Sequence, residues 1–229
     1  MTSILKHAHT LASLALAALL AGCGSPPTRT ATGPGEGAAP SRGTHTHAYE
    51  GGTLVTDTRT AACTLTLNGE IHAGTVRRMG PALQDLERAS CTSKRMVLNA
   101  GPALLGDAVT LGAMLRNRGF ETQVQAGTRC ETPCLLVFAA GTQRVLPDQP
   151  RPAQVVFSRI PPDHDFGHQT CKSEPSRAQQ LTLTRYLRAM LPEPTATAVY
   201  QKLLAADCRT ADAYGTAEAL AMGLATAVR

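Results

Sequence analysis

Two histidines and two aspartates lie within one short segment, Asp163-His164-Asp165-Phe166-Gly167-His168. An imidazole that is oriented by a carboxylate can act as a general base, and the same four side chains could bind a divalent metal ion. His45 and His47 form a second pair, but the sequence offers no third ligand near them. Polar loops of this composition are usually hydrated, so we predict neither a metal site nor a bound cofactor.

The cysteines predict a disulfide framework. Of the 7 cysteines, six follow Cys23, and they are Cys63, Cys91, Cys130, Cys134, Cys171 and Cys208. An even number in an exported chain favours disulfides, although sequence alone allows many connectivities. We favour Cys63–Cys91, because each residue opens a predicted strand, and Cys171–Cys208 across the C-terminal helices. Cys130–Cys134 then follows by elimination, since the Cys-x-x-x-Cys spacing is not the usual zinc or thioredoxin spacing.

The N-terminus predicts export and lipid anchoring. An apolar stretch over residues 11–21 ends in Leu20-Ala21-Gly22-Cys23 and is too short to span a membrane. This end resembles a bacterial lipoprotein signal, which implies cleavage before Cys23 and acylation of that cysteine, for example with palmitate. Cleavage by an ordinary signal peptidase, leaving a plain thiol, is the alternative. Gly24 and Ser25 follow in place of an aspartate, which by the same resemblance implies an outer-membrane location facing the periplasm.

Composition divides the chain into three regions and excludes one class of partner. Residues 1–22 form the predicted signal peptide, residues 23–52 are rich in Gly, Pro, Thr and Ala and are predicted to be a flexible tether, and residues 53–229 form one domain. The 22 Lys and Arg against 17 Asp and Glu are scattered along the chain, and aromatic residues make up only 3% of it. We therefore expect the membrane as a partner, through the anchor, and no nucleic acid.

Any site in the domain must be positioned by alternating strands and helices. Predicted strands cover 64–67, 95–99, 122–125, 143–146 and 154–157, and predicted helices cover 75–89, 104–118, 133–140, 176–190, 196–206 and 216–222. Sharp turns are expected at Asn68-Gly69-Glu70-Ile71, within or after the first strand, and at Ala100-Gly101-Pro102. This alternation predicts an α/β domain with helices packed on a mainly parallel sheet.

The order and spacing of several short segments resemble the ClpP/crotonase-like fold, and specifically exported proteins with a ClpP-like serine-peptidase domain. The resemblance covers about residues 64–226. It rests on residues 67–71, 98–112, 118–122, Cys130-Glu131-Thr132-Pro133-Cys134, residues 136–141, Arg144-Val145 and Gly223-Leu224-Ala225-Thr226. It implies repeated β-α units with C-terminal helices, and members of this fold commonly form trimers or rings.

The resemblance also places a peptidase site, and each of its positions departs from the active pattern. In active relatives the oxyanion turn reads Ser-Pro-Gly-Gly, and here it reads Ala100-Gly101-Pro102-Ala103. Proline has no amide hydrogen to donate. The nucleophilic serine is replaced by Thr132. The base position falls on Phe157, which cannot accept a proton. The three chemical functions are needed together, so the resemblance implies a degenerate site.

Thr132 has a second interpretation. Threonine followed by proline is typical of a helix N-cap and first turn, so we predict that the Thr132 hydroxyl caps the helix over 133–140. The competing hypothesis is a displaced triad in which His164 or His168 serves Thr132 as base. His72, which follows a strand, is predicted to be a surface or capping residue.

Taken together, the residues and the resemblance predict an envelope lipoprotein whose ClpP-like domain is catalytically inactive and serves as a binding or assembly module, with an envelope protein as a candidate partner. The alternatives are an atypical hydrolase that uses Thr132 with a displaced histidine, and a structural lipoprotein that contacts envelope proteins or saccharide.

Overall fold

The computed structural model describes residues 42–160, 175–207, 209 and 211–228. The predicted signal, Cys23, His164, His168, Cys171 and Cys208 lie outside these residues. The strands are β1 (Thr44–Tyr49), β2 (Gly52–Asp57), β3 (Ala62–Ile71), β4 (Ser93–Ala103), β5 (Glu121–Val124), β6 (Arg129–Glu131), β7 (Arg144–Val145), β8 (Gln154–Phe157) and β9 (Asp212–Tyr214). The helices are α1 (Ala73–Arg88), α2 (Leu105–Asn117), α3 (Cys134–Ala139), α4 (Arg177–Met190), α5 (Glu193–Ala205) and α6 (Thr216–Ala221).

The strands form two sheets. The larger sheet has the order β1-β2-β3-β4-β5-β7, in which β3, β4, β5 and β7 are parallel and the β1–β2 hairpin is antiparallel. The smaller sheet has the order β6-β8-β9. The predicted α/β class with a mainly parallel sheet is therefore confirmed. No helix among the described residues is long and apolar enough to cross a membrane.

The central element of the fold is α3. All six of its residues are buried, and it packs against α2, α4 and strands of both sheets. A short helix that is apolar on every face can be stable only inside a core. It begins two residues after Thr132, so it joins the candidate nucleophile position to the most buried part of the domain.

Part of the predicted tether is a strand. Residues 44–49 form β1, which pairs with β2 and packs against α1. The prediction of a flexible tether as far as residue 52 is wrong here, because the segment has no large aliphatic residues to show strand periodicity. Its order comes from pairing with β2 and from polar contacts of its histidines with Asp85.

The predicted turn at Ala100-Gly101-Pro102 is wrong, whereas the turn expected within or after the strand at residues 68–71 follows Ile71, since α1 begins at Ala73. β3 continues through Asn68-Gly69 to Ile71, and β4 continues through Ala100-Gly101-Pro102 to Ala103, with Gly69 paired to Ala100. Gly69 has φ of +117°, and a Cβ there would lie 2.1 Å from the Gly51 carbonyl oxygen. The glycine therefore allows the close approach of the β1–β2 turn to β3, rather than ending the strand.

Two of the predicted disulfides are confirmed. Cys63 is bonded to Cys91, which joins the start of β3 to the loop after α1. Cys130 is bonded to Cys134, which joins β6 to the first residue of α3. The second bridge links residues on either side of Thr132 and so restrains the chain around it.

Candidate active-site cleft

A cleft of about 800 Å³ lies at the C-terminal ends of β3 and β4. Thr132 lines it together with Gly101, Pro102 and Ala103. The fold thus brings the nucleophile-equivalent and oxyanion-equivalent positions to one place. Phe157 does not line the cleft. It is 1% exposed in the core and packs edge-to-face against Tyr214.

The hydroxyl of Thr132 is held by the main chain of the neighbouring strand. Its Oγ1 donates a hydrogen bond to the Val156 carbonyl oxygen and accepts one from the Ser158 amide, each at 3.3 Å. The side chain is buried, with the residue 6% exposed. The hydroxyl proton is therefore directed at a carbonyl oxygen, which cannot remove it as a base would.

The predicted capping role of Thr132 is wrong. The N-cap of α3 is Pro133, and no side chain of the described residues caps this helix. Thr132 instead continues β6, and its amide also donates to the Val156 carbonyl oxygen at 3.1 Å. The physical reason is that β8 runs beside β6 and offers its end to the Thr132 hydroxyl, a tertiary contact that the local Thr-Pro pattern does not show.

His72 is the histidine that the described residues place in the cleft lining, and both of its ring nitrogens are engaged. Nδ1 accepts from the Gly74 amide at 3.0 Å, so the ring proton is on Nε2, which lies 2.7 Å from the Glu50 carbonyl oxygen. This arrangement caps α1, and the predicted capping role is confirmed. A histidine with both nitrogens bonded in this way is not free to take a proton from Thr132.

The oxyanion-equivalent residues Gly101, Pro102 and Ala103 form the end of strand β4. Ala103 pairs with Ile71 of β3, and the next amide, that of Leu104, donates to the Ile71 carbonyl oxygen at 2.9 Å. Pro102 has no amide hydrogen. Of the oxyanion-equivalent positions, Pro102 therefore supplies no amide donor to the cleft.

The cleft contains charged residues that sequence reasoning missed. Arg129 and Glu131 come from β6, and their side chains approach to 3.8 Å. Arg159 follows β8 and Arg209 follows α5. The Arg159 Nη1 atom is buried and has no hydrogen-bond partner in the described part of the chain. No local motif marks these arginines, because they come from distant segments of the chain that line the same cleft only in the folded protein.

His45 and His47 lie away from the cleft, on the β1–β2 hairpin. His45 Nδ1 is 3.2 Å and His47 Nε2 is 2.7 Å from the same oxygen of Asp85, and Thr56 donates to that oxygen at 3.2 Å. Burial raises the pKa of Asp85, but the hydrogen bonds and the histidine charges outweigh this effect and leave it below its ordinary value. No cluster of three or more potential ligands suited to a metal ion occurs among residues 42–160 and the later described segments.

Comparison with known proteins places the fold. No family model matches the chain, and no curated protein matches it. A peptidase from Plasmodium falciparum is similar over 72% of this chain and 94% of its own, with 10% identity and a TM-score of 0.54. The ClpP protease catalytic domain from Plasmodium falciparum covers 72% of this chain and 83% of its own, with 13% identity and a TM-score of 0.51.

A third similar structure contains a peptide. It is a mutant of the membrane-bound stomatin-specific protease 1510-N in complex with a substrate peptide, with 10% identity, a TM-score of 0.55, and coverage of 72% of this chain and 73% of that one. Identities this low show the fold and not the activity. The protein has the ClpP-like α/β fold that the sequence predicted.

Proposed function

We propose that the protein is an envelope lipoprotein whose ClpP-like domain binds a peptide segment of a partner in the cleft without cleaving it. The observation that carries this proposal is the state of the Thr132 hydroxyl, which is bonded on both sides to the main chain around β8. A hydroxyl becomes a useful nucleophile only when a base accepts its proton. The base-equivalent residue Phe157 is buried in the core.

The oxyanion side of the cleft supports the same proposal. Loss of one oxyanion donor costs roughly 10²–10³ in rate, and here the oxyanion-equivalent residue Pro102 has no amide hydrogen to donate. A domain with no activated nucleophile and an incomplete set of oxyanion donors retains the cleft but not the chemistry. Binding is the function that such a cleft can still perform.

The volume of the cleft and the sheet edge beside it support an extended peptide as the ligand. Its volume of about 800 Å³ is in the range of ligand sites. β6 forms one edge of the smaller sheet and contributes Arg129 and Glu131 to the lining. An extended chain can add to such an edge through main-chain hydrogen bonds. The similar protease 1510-N was solved with a substrate peptide, which supports a peptide as the ligand class.

The anchor is proposed to be acylated Cys23, with the domain facing the periplasm from the outer membrane. Between Cys23 and β1 the chain has residues 24–43, enough length for the domain to reach a partner near the membrane. Metabolic labelling with a palmitate analogue, followed by membrane fractionation, tests this anchor. We expect label and membrane association in the wild type and neither in Cys23→Ala. A labelled Cys23→Ala protein would contradict the proposal.

The binding function is tested by mixing the purified full chain with a fluorescently labelled unfolded protein, such as casein, and measuring both complex formation and the release of fragments. We expect saturable binding without release of fragments. Gly101→Trp should weaken binding, because Gly101 is exposed and lines the cleft, which the indole would partly fill. A Cβ at this position would come no closer than 3.9 Å to the neighbouring main chain, so the substitution should not disturb the fold. Cleavage that disappears in Thr132→Ala and in either His164→Ala or His168→Ala would instead establish the atypical hydrolase.

A further inference from the structure

We propose that the cleft recognises a carboxylate on the bound peptide, and that Arg159 is the residue that binds it. This inference rests on the proposed peptide-binding function and names the group that the cleft selects. The carboxylate could be the C-terminus of the partner or an acidic side chain, and the experiment below distinguishes the two.

The first reason is the unsatisfied guanidinium. Arg159 is half-buried and lines the cleft, and its Nη1 is buried without a hydrogen-bond partner among the described residues. Buried polar atoms are nearly always bonded in folded proteins, and an exception suggests a missing ligand. A guanidinium presents parallel N–H groups that match a carboxylate in a bidentate pair.

The second reason is the position of Arg159. The preceding residue, Ser158, donates its amide to Thr132 Oγ1 at 3.3 Å and its hydroxyl to the Thr132 carbonyl oxygen at 3.4 Å. These bonds fix the main chain beside Arg159 to the nucleophile-equivalent residue Thr132. The main chain next to Arg159 is therefore ordered before a ligand binds, which lowers the entropic cost of binding at this position.

The third reason is the arrangement of the other charges. Arg129 and Arg209 also line the cleft, as do the acidic residues Glu70, Glu131 and Asp207. Glu131 faces Arg129 at 3.8 Å, and the Glu70 carboxylate lies beside the Gly51 turn. Asp207 accepts the Arg209 amide at 2.7 Å. None of the ion pairs in the described part of the chain involves the Arg159 guanidinium.

The test is calorimetric titration of the full chain with four N-acetylated alanine-based hexapeptides of equal length. One has a free C-terminal carboxylate, one has a C-terminal amide, and two are amidated peptides with a central Glu or a central Gln. We expect one carboxylate peptide to bind about tenfold or more tightly than its neutral counterpart, as for a charge-assisted pair. The member of the set that gains affinity identifies the source of the carboxylate.

Variants decide whether Arg159 is responsible. Arg159→Ala should abolish the preference, measured as the ratio of the affinities for the charged and the neutral peptide of a pair. Arg159→Lys should keep only part of this ratio, because an ammonium group cannot form two parallel hydrogen bonds to a carboxylate. Arg185→Ala is the matched control, since Arg185 is exposed on α4 and is not part of the cleft lining. A preference that survives in Arg159→Ala overturns the inference.

The outcomes separate this inference from the proposed function. Equal binding of charged and neutral peptides, lost in Gly101→Trp, would leave the cleft as a peptide site and refute the carboxylate preference. Absence of binding by all four peptides would refute the carboxylate preference and count against the peptide-binding function as well.

Discussion

Replacing Thr132 with valine should lower stability without removing any hydrolytic activity. Valine has nearly the shape of threonine but lacks the hydroxyl, so the packing of the buried site is kept. The Val156 carbonyl oxygen retains its bond from the Thr132 main-chain amide at 3.1 Å. The Ser158 amide loses its acceptor, which lies at 3.3 Å in the native protein.

The expected cost follows from that single orphaned donor. A buried donor without a partner costs about 1–3 kcal/mol, and the length of the bond and the partial exposure of Ser158 place the expected loss near the lower end, at about 1–2 kcal/mol. Thr132→Ser keeps the hydroxyl and loses only a methyl group, at about 0.8 kcal/mol. Urea unfolding with intact disulfides measures both values.

The comparison also tests the competing hypothesis. If Thr132 were a nucleophile, Thr132→Val would abolish hydrolysis with little change in stability, and Thr132→Ser would restore a good nucleophile. A Thr132→Val protein as stable as the wild type, combined with a loss of hydrolysis, would refute the structural role assigned to this hydroxyl.

Three further predictions concern the domain that supports the cleft. A Cβ at Gly112 would lie 1.8 Å from the Tyr186 hydroxyl, whereas one at Gly106 on the same helix meets nothing within 4 Å. Thermal unfolding should therefore show that Gly112→Ala lowers the free energy of unfolding by about 1–3 kcal/mol and that Gly106→Ala does not lower it. Equal stabilities of the two variants would contradict this packing. Arg144 is 5% exposed and donates to main-chain carbonyls of residues 141, 223 and 224. Urea unfolding should therefore show that Arg144→Met lowers the free energy of unfolding by about 3 kcal/mol. An unchanged value would show that these three hydrogen bonds do not contribute to stability. The folded pKa of Asp85 is below its ordinary value of 3.8, so its charge contributes stability that is present above pH 3.8 and is lost as the pH falls through the folded pKa. Asp85→Asn should flatten this part of the curve of unfolding free energy against pH. An unchanged curve would show that the contact of Asp85 with the β1–β2 hairpin does not contribute to stability.

The sequence predicted the elements whose signal is local. The helix at 75–89 was visible from its apolar spacing and corresponds to α1, which buries Met79, Leu83 and Leu86. The apolar segment after Pro133 was visible as a short helix and is α3. The bridges Cys63–Cys91 and Cys130–Cys134 were also anticipated.

The features that could not be predicted depend on contacts between distant segments. β1 is ordered by pairing with β2 and by Asp85 of α1, none of which is evident in its own polar sequence. Thr132 satisfies the local rule for a helix cap, but a strand more than twenty residues later takes its hydroxyl. Arg159 has no motif at all and becomes notable only where the structure leaves its Nη1 without a partner in the described residues.

The central claim is that the Thr132 hydroxyl is not activated, and the most direct measurement is reaction of the folded full chain with a fluorophosphonate probe. Peptide mass spectrometry then identifies any modified residue, and circular dichroism shows that the sample is folded. We predict no labelling of Thr132 under conditions that fully label an active serine hydrolase. Labelling at Thr132 that is absent from Thr132→Ala would contradict the claim and establish a nucleophile in the cleft.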